Sequence, residues 1–260
     1  MKVAVIYHPD RITTARKLKE RTEMEGEVVI FEKTENVRSI PGNLDLVLVV
    51  GGDGTVIRVA KVVHDDVPIV GFKAGRLGFL TSYSVDEMED FFEDIKNDRI
   101  VEDRRWLLEI RTGKGVYLAL NDVVLQKDVE GKMLEIEIMV DDHSPLWFFA
   151  DGVVVSTPTG STAYGLSLGG PMIAPDCDVI EITPMAPQFL FTRSILIPSK
   201  ETLSVKSTGN GNLVVDGKAV EKTDEFVVCR SEKSVRILRP KGFDFFRVIK
   251  SKIGYGRRIV

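Results

Sequence analysis

Five consecutive residues, Leu46-Val-Leu-Val-Val50, carry no polar side chain. Successive strand residues point to opposite faces, so a strand of this composition needs cover on both sides. That requirement selects a parallel sheet with helices packed on it. The flanking sequence agrees. Residues 2–7, 27–31 and 68–72 read as further strands, and 13–24, 55–63 and 85–97 as helices. Ala15, Leu18 and Met24 are the expected inward face of the first helix, and Ser84 is the expected N-cap of the third.

From about residue 102 the pattern changes. Residues 106–112, 116–124, 132–140, 145–149, 153–155, 196–198, 202–207, 212–215, 225–230 and 235–239 read as short strands separated by turn residues. Such a series predicts two packed antiparallel sheets. A last segment, 243–253, reads as a helix. The expected organisation is an α/β domain over 1–100, a β-sandwich-like domain over 101–240, and a segment over 241–260 that returns to the first domain. No linker rich in Pro, Gly or Ser divides them.

Composition narrows the function. With 35 Lys and Arg against 39 Asp and Glu the chain is weakly acidic, which argues against a general nucleic-acid binder. No apolar run approaches the roughly 18 residues of a membrane span. Cys177 and Cys229 are too few and too separated for a disulfide framework or a zinc site, and fit reduced thiols in the cytoplasm. His8, His64 and His143 are scattered, so no protein-built metal site is expected.

Three stretches carry chemistry. Gly51-Gly52-Asp53-Gly54 follows the apolar strand and precedes a helix, at the sheet edge where ligands bind in open α/β folds. Its glycines admit close backbone approach, and helix-start amides favour anions. It is neither a Walker A loop nor GxGxxG. A carboxylate among phosphate-binding amides makes sense if it faces a hydroxyl that must lose a proton, or reaches phosphate through Mg²⁺; a tight turn with a capping Asp is the plainer alternative. The second stretch, Asp151-Gly152 to Tyr164, holds Ser156, Thr157, Thr159, Ser161 and Thr162 around Pro158 and Gly160. It suits a ligand with phosphates, ribose or a carboxamide, with Tyr164 to stack on a base, or else a capping loop before a helix at 163–168. The third, Asn121-Asp122, is able to hold a vicinal diol or to form a simple turn.

Taken together, Gly51-Gly52-Asp53-Gly54-Thr55, Asn121-Asp122, Asp151-Gly152 with Ser156–Tyr164, and Gly169-Gly170-Pro171 resemble the NAD kinases. The glycine motif alone is shared with lipid kinases and phosphofructokinases; the long Ser/Thr motif is the specific part. The resemblance implies a Rossmann-like α/β first domain and a β-rich second domain, with NAD bound between them and phosphorylated at its adenosine ribose 2′-hydroxyl by Mg²⁺ and ATP. It makes Asp53 the base, left bare for the substrate hydroxyl, with Gly51, Gly52 and Gly54 leaving room for phosphates. Asn121 and Asp122 would hold ribose hydroxyls, and Asp151 would contact the nicotinamide half. Thr162, Ala163, Tyr164 and Ser167, with Thr159, Gly165 and Leu166 nearby, would line the adenine and ribose pocket. Arg58 would add charge for phosphate, and Lys218 would approach from the second domain. The family usually has Asn-Glu at 121–122 and often a polar or basic residue at 149, where this chain has Asp122 and Phe149. ATP or polyphosphate as donor stays open. A cytoplasmic homodimer or homotetramer is implied, with no membrane or nucleic-acid partner. A lipid kinase and a non-catalytic NAD(P) sensor are the rival readings.

Overall fold

The computed structural model describes residues 1–75 and 78–254. The chain divides into two compact units. One comprises Met1–Arg104 and the residues from Val235 onward; the other is Arg105–Ser234.

In chain order the first elements are β1 (Lys2–Tyr7), α1 (Ile12–Glu23), β2 (Glu27–Lys33), β3 (Leu46–Val50), α2 (Asp53–Val62), β4 (Ile69–Lys73), β5 (Tyr83–Ser84) and α3 (Met88–Lys96). The sheet of the first unit is parallel and ordered β4-β3-β1-β2. Val3, Val5, Leu46, Leu48, Val70 and Phe72 pack with Ala15 and Leu18 of α1 and with Phe91 and Phe92 of α3. The alternate residues Ala4, Ile6, Val47 and Val49 are also fully buried, so the second face is covered as well. There α2 lies against Gly71, where an added Cβ would touch Val56 and Thr81 at 3.0 Å. Glycine thus lets α2 approach the sheet closely. Met24 departs from expectation: it lies beyond the helix end and is 79% exposed. Thr22 turns inward instead, its hydroxyl donating to the Leu18 carbonyl at 2.7 Å. A 3₁₀ turn at Val85–Glu87 precedes α3, and the Glu87 carboxylate accepts from the Ser84 amide at 2.7 Å.

The chain continues as β6 (Ile100–Thr112), β7 (Gly115–Ala119), β8 (Asp122–Gln126), β9 (Leu134–Val140), β10 (Leu146–Ala150), β11 (Gly152–Ser156), α4 (Tyr164–Ser167), β12 (Val179–Met185), β13 (Ile195–Pro198), β14 (Leu203–Val215), β15 (Lys218–Pro240) and α5 (Phe245–Ile253). In the second unit the ladders are antiparallel: β13-β12-β11-β8-β14, and β10-β9-β14. A single strand serves both, because Leu203–Ser207 of β14 pairs with β9 and Asn212–Val215 pairs with β8. A register irregularity between Lys206 and Gly211 marks the change. Val123, Leu125, Ile136, Ile138, Val153, Val155, Leu203 and Val205 close over one apolar core.

The strands depart from the sequence pattern in four places. The run 116–124 is interrupted at Leu120 and Asn121, whose amides donate to the Asp216 carboxylate rather than to a neighbouring strand. The expected strands 202–207 and 212–215 are one strand, as are 225–230 and 235–239. Strand β12 was not expected; Pro184 and the charged Glu181 weaken its pattern. The end of β15 belongs to the first unit, where Ile237 pairs in parallel with Ile69 of β4. Helix α5 follows it, begun by Asp244, whose side chain accepts from the Phe246 amide, and ended by Gly254 at φ 73°. Residues 255–260 of the returning segment lie outside the described residues.

Candidate active site

The glycine loop carries the chain from β3 into α2. Gly51 is buried, and a Cβ there would collide with the Thr55 side chain. Gly52 caps α2 without a side-chain hydrogen bond. Gly52 and Gly54 have open space where a Cβ would stand, so the loop presents backbone rather than side chains. Asp53 is the first residue of α2. Its carboxylate is not bare: Oδ2 accepts from the Phe79 amide and Oδ1 from the Leu80 amide, each at 3.0 Å. Lys252 of α5 donates to Oδ2 at 2.9 Å. Three-quarters of the Asp53 side chain is covered. Burial pushes the carboxyl up, but the Lys252 hydrogen bond and charge, with the two amides, outweigh it and hold its pKa below the usual aspartate value.

The turn that supplies those amides is itself anchored. Arg239 of β15 is buried at 1% exposure. Its guanidinium donates to Asp103 at 2.5 Å and to the Phe79 carbonyl at 2.8 Å, and lies 3.9 Å from the centre of the Phe243 ring. Ser82 donates to the Leu238 carbonyl at 2.5 Å. Gly78 lies against the Asp53 carboxylate so closely that any Cβ would overlap it. The carboxylate is therefore oriented by residues 25 to 199 positions away in sequence.

In the second unit a cavity of about 340 Å³ is lined by Asn121, Asp122, Ala163, Tyr164, Asp216 and Gly217 among others. Four of these six were expected site residues. Asp216 and Gly217 form the turn between β14 and β15, both with positive φ, 46° and 73°. That is the Asp-Gly signature of a tight hairpin. The Asp216 carboxylate accepts from the amides of Leu120, Asn121 and Asp122 at 3.0, 2.8 and 3.2 Å. It fixes the backbone that presents the Asn-Asp pair. The Asp-Gly hairpin was legible in the sequence; its grip on residues 120–122 was not.

Most hydroxyls of the Ser/Thr stretch hold the loop itself. Thr157 donates to the Leu120 carbonyl at 2.6 Å, Ser161 donates to Pro158 at 2.8 Å, and the Thr159 oxygen accepts from Arg105 at 3.0 Å. Gly160 has no room for a Cβ beside the Asn121 carbonyl. Ser156 donates to the fully buried Glu181 at 3.1 Å, and Thr183 donates to its other oxygen at 2.7 Å. Burial raises the Glu181 pKa, with the two hydroxyls partly opposing. Tyr164 is 42% exposed, Thr162 and Ala163 are half-buried, and Ser167 is exposed. Gly165 is buried against Glu181, and Leu166 is half-buried. Asp151 pairs with Lys127 at 3.4 Å, and neither it nor Lys218 lines the cavity. Lys218 is exposed beside the hairpin turn, and Arg58 is exposed on α2.

The two halves of this arrangement each match a known domain. The profile of the ATP-NAD kinase N-terminal domain matches residues 3–100, and that of the ATP-NAD kinase C-terminal domain matches residues 120–240. The chain is 52% identical over 261 residues to the NAD kinase of Thermotoga sp. (strain RQ2), covering all of both chains. It is 40% identical over 266 residues to that of Thermosipho melanesiensis, again over both full lengths. Among solved structures, an Archaeoglobus fulgidus NAD kinase in complex with ATP superposes with a TM-score of 0.79 at 25% identity, covering 98% of this chain and 99% of the other. A yeast NADH kinase complexed with NADH shares the fold, with a TM-score of 0.82 at 20% identity over 100% of this chain and 89% of the other. The chain belongs to the ATP-NAD kinase family.

Proposed function

We propose that the NAD kinase reaction of this chain, phosphorylation of NAD to NADP by ATP, is an in-line transfer of the γ-phosphoryl group to the 2′-oxygen of the adenosine ribose. Asp53 accepts the proton of that hydroxyl as the new P–O bond forms and ADP leaves. The observation that carries this reading is the Asp53 carboxylate at the head of α2, fixed by the Phe79 and Leu80 amides. First-turn amides suit phosphate, and a fixed carboxylate suits a hydroxyl proton.

The remaining roles follow the resemblance to the NAD kinases. Asn121 and Asp122, held by Asp216, bind ribose hydroxyls, and Tyr164, exposed at the same cavity, stacks on a base. Thr162, Ala163, Gly165, Leu166 and Ser167 contribute adenine and ribose contacts, and Thr159 supports them through Arg105. Asp151 serves the nicotinamide half, and Arg58 and Lys218 supply positive charge. Mg²⁺ would enter with the ATP. When bound, that ion neutralises charge on the transferring phosphates.

The working form is a homodimer or homotetramer. Support comes from Trp147, Phe189, Leu190 and Phe191, at 60, 51, 83 and 79% exposure, and from the edge strand β13. Such apolar exposure on one unit fits contact with a second copy. A cytoplasmic location agrees with two free thiols.

The test is direct. Purified protein is incubated with NAD, ATP and Mg²⁺, and NADP is read with an NADP-specific dehydrogenase. Asp53→Asn is expected to bind NAD while losing about 10²–10⁴-fold in kcat, the usual worth of a general base. Near-normal turnover in that variant removes Asp53 from the role.

A further inference from the structure

Lys252 is 199 residues from Asp53 and is nevertheless its one charged partner among the described residues. The sequence offers no motif at this position. Three observations show that the contact is built. The carboxylate is seated by the Phe79 and Leu80 amides, and Lys252 meets the oxygen that Phe79 already holds. The ammonium also lies 4.7 Å from the centre of the Phe79 ring, on the residue that supplies one of those amides. Finally, the Lys252 side chain is only 23% exposed, unlike a surface ion pair free to exchange with water.

This pairing raises a chemical problem. A carboxylate bonded to an ammonium is a poor proton acceptor, because its negative charge is already compensated. Yet the same ammonium stands at the head of α2, where the first-turn amides favour phosphate. A lysine arm is long and flexible, and polyphosphate carries more charge than one carboxylate.

We propose that Lys252 is a positioning residue: it holds the Asp53 carboxylate, and during turnover it moves to the ATP phosphates and leaves Asp53 to the ribose hydroxyl. The inference rests on the reading of Asp53 as the base. The handover strengthens the base only when donor phosphate is present, and it places a cation where charge accumulates. Among the described residues, the polar groups that meet the Asp53 carboxylate are the Phe79 and Leu80 amides from the turn and Lys252 from α5, so Lys252 is the charged member of that set.

The experiment compares Lys252→Met, Lys252→Arg and Asp53→Asn. Calorimetric binding of a non-hydrolysable ATP analogue is expected to weaken about tenfold in Lys252→Met, the scale of one charge-assisted hydrogen bond. The KM for NAD should stay unchanged. The acid limb of kcat/KM for ATP, which reports the free enzyme, should move to higher pH, because Asp53 loses the partner that keeps it ionised. Lys252→Arg should restore both. A merely structural lysine would lower the unfolding temperature and shift the acid limb through its pairing with Asp53, but would leave analogue affinity in place. If Lys252→Met keeps analogue affinity while Asp53→Asn is dead, the handover is wrong and the base stands. If Asp53→Asn turns over normally, the base reading falls and the handover with it.

Discussion

The glycine loop and the Ser/Thr stretch invert each other's first impression. Around Asp53, three glycines suggest an uncovered carboxylate, and the fold covers it with two amides and an ammonium. Around Tyr164, a dense set of hydroxyls suggests a ligand-binding surface. The fold directs Ser156, Thr157, Thr159 and Ser161 inward, each below 9% exposure, to bond the loop and its neighbours. The physical reason is common to both. A parallel α/β unit leaves free amides at strand ends and helix starts, so side chains there need support from elsewhere. An irregular buried loop between strands has no ladder of its own, so its polar side chains must satisfy its backbone.

The contrast can be broken at its most crowded point. Gly78→Ala puts a Cβ into the Asp53 carboxylate. Either the turn or the carboxylate must shift, and a displacement of about 1 Å at a reacting group costs roughly 10²-fold in rate. Steady-state kinetics should show the loss in kcat, with NAD affinity near normal. A fully active Gly78→Ala enzyme would mean that Asp53 needs no fixed orientation.

A smaller effect is expected at the cavity. Asp216→Ala leaves three amides without their shared acceptor. Stability should fall by roughly 2 kcal/mol, the scale of a lost charge-assisted bond, as measured by denaturant unfolding. The KM for NAD should rise with little change in kcat, because the damage falls on presentation of Asn121 and Asp122. A drop in kcat at constant KM would instead tie the hairpin to chemistry.

The smallest expected effect concerns Glu181. Its folded pKa is raised by burial, so the folded state binds the proton more tightly than the unfolded chain. Stability from this group is therefore present at low pH and declines as pH rises from the ordinary glutamate value through the raised one. Glu181→Gln removes that decline. The unfolding temperature of the variant should gain on wild type as pH rises over this window, while activity changes little. A constant difference across pH would show that Glu181 titrates alike in both states.

Much of the fold was legible because two periodicities differ so clearly. The apolar run at 46–50 required cover on both faces, and the structure provides it with α1 and α3 on one side and α2 on the other. The hairpin series was legible through its turn residues, although residues 202–207 and 212–215, expected as two strands, are one strand that passes between two ladders. Strand β12 was missed because Glu181, a charged residue, is buried in it. Its burial depends on hydroxyl donors, from Ser156 25 residues away and from Thr183 on the same strand.

Sequence by itself determined the layer arrangement, the glycine loop at the strand end, the Asn-Asp pair and the family. These follow from periodicity, turn chemistry and local motifs, which act over a few residues. Only the tertiary structure decided what Asp53 touches, what steadies Asn121 and Asp122, and which hydroxyls remain available. Those depend on Lys252, Arg239 and Asp216, which reach their partners across 94 to 199 residues of chain. A hydrogen bond is a contact of about 3 Å, and sequence spacing carries no information about which distant donors the folded backbone will bring that close.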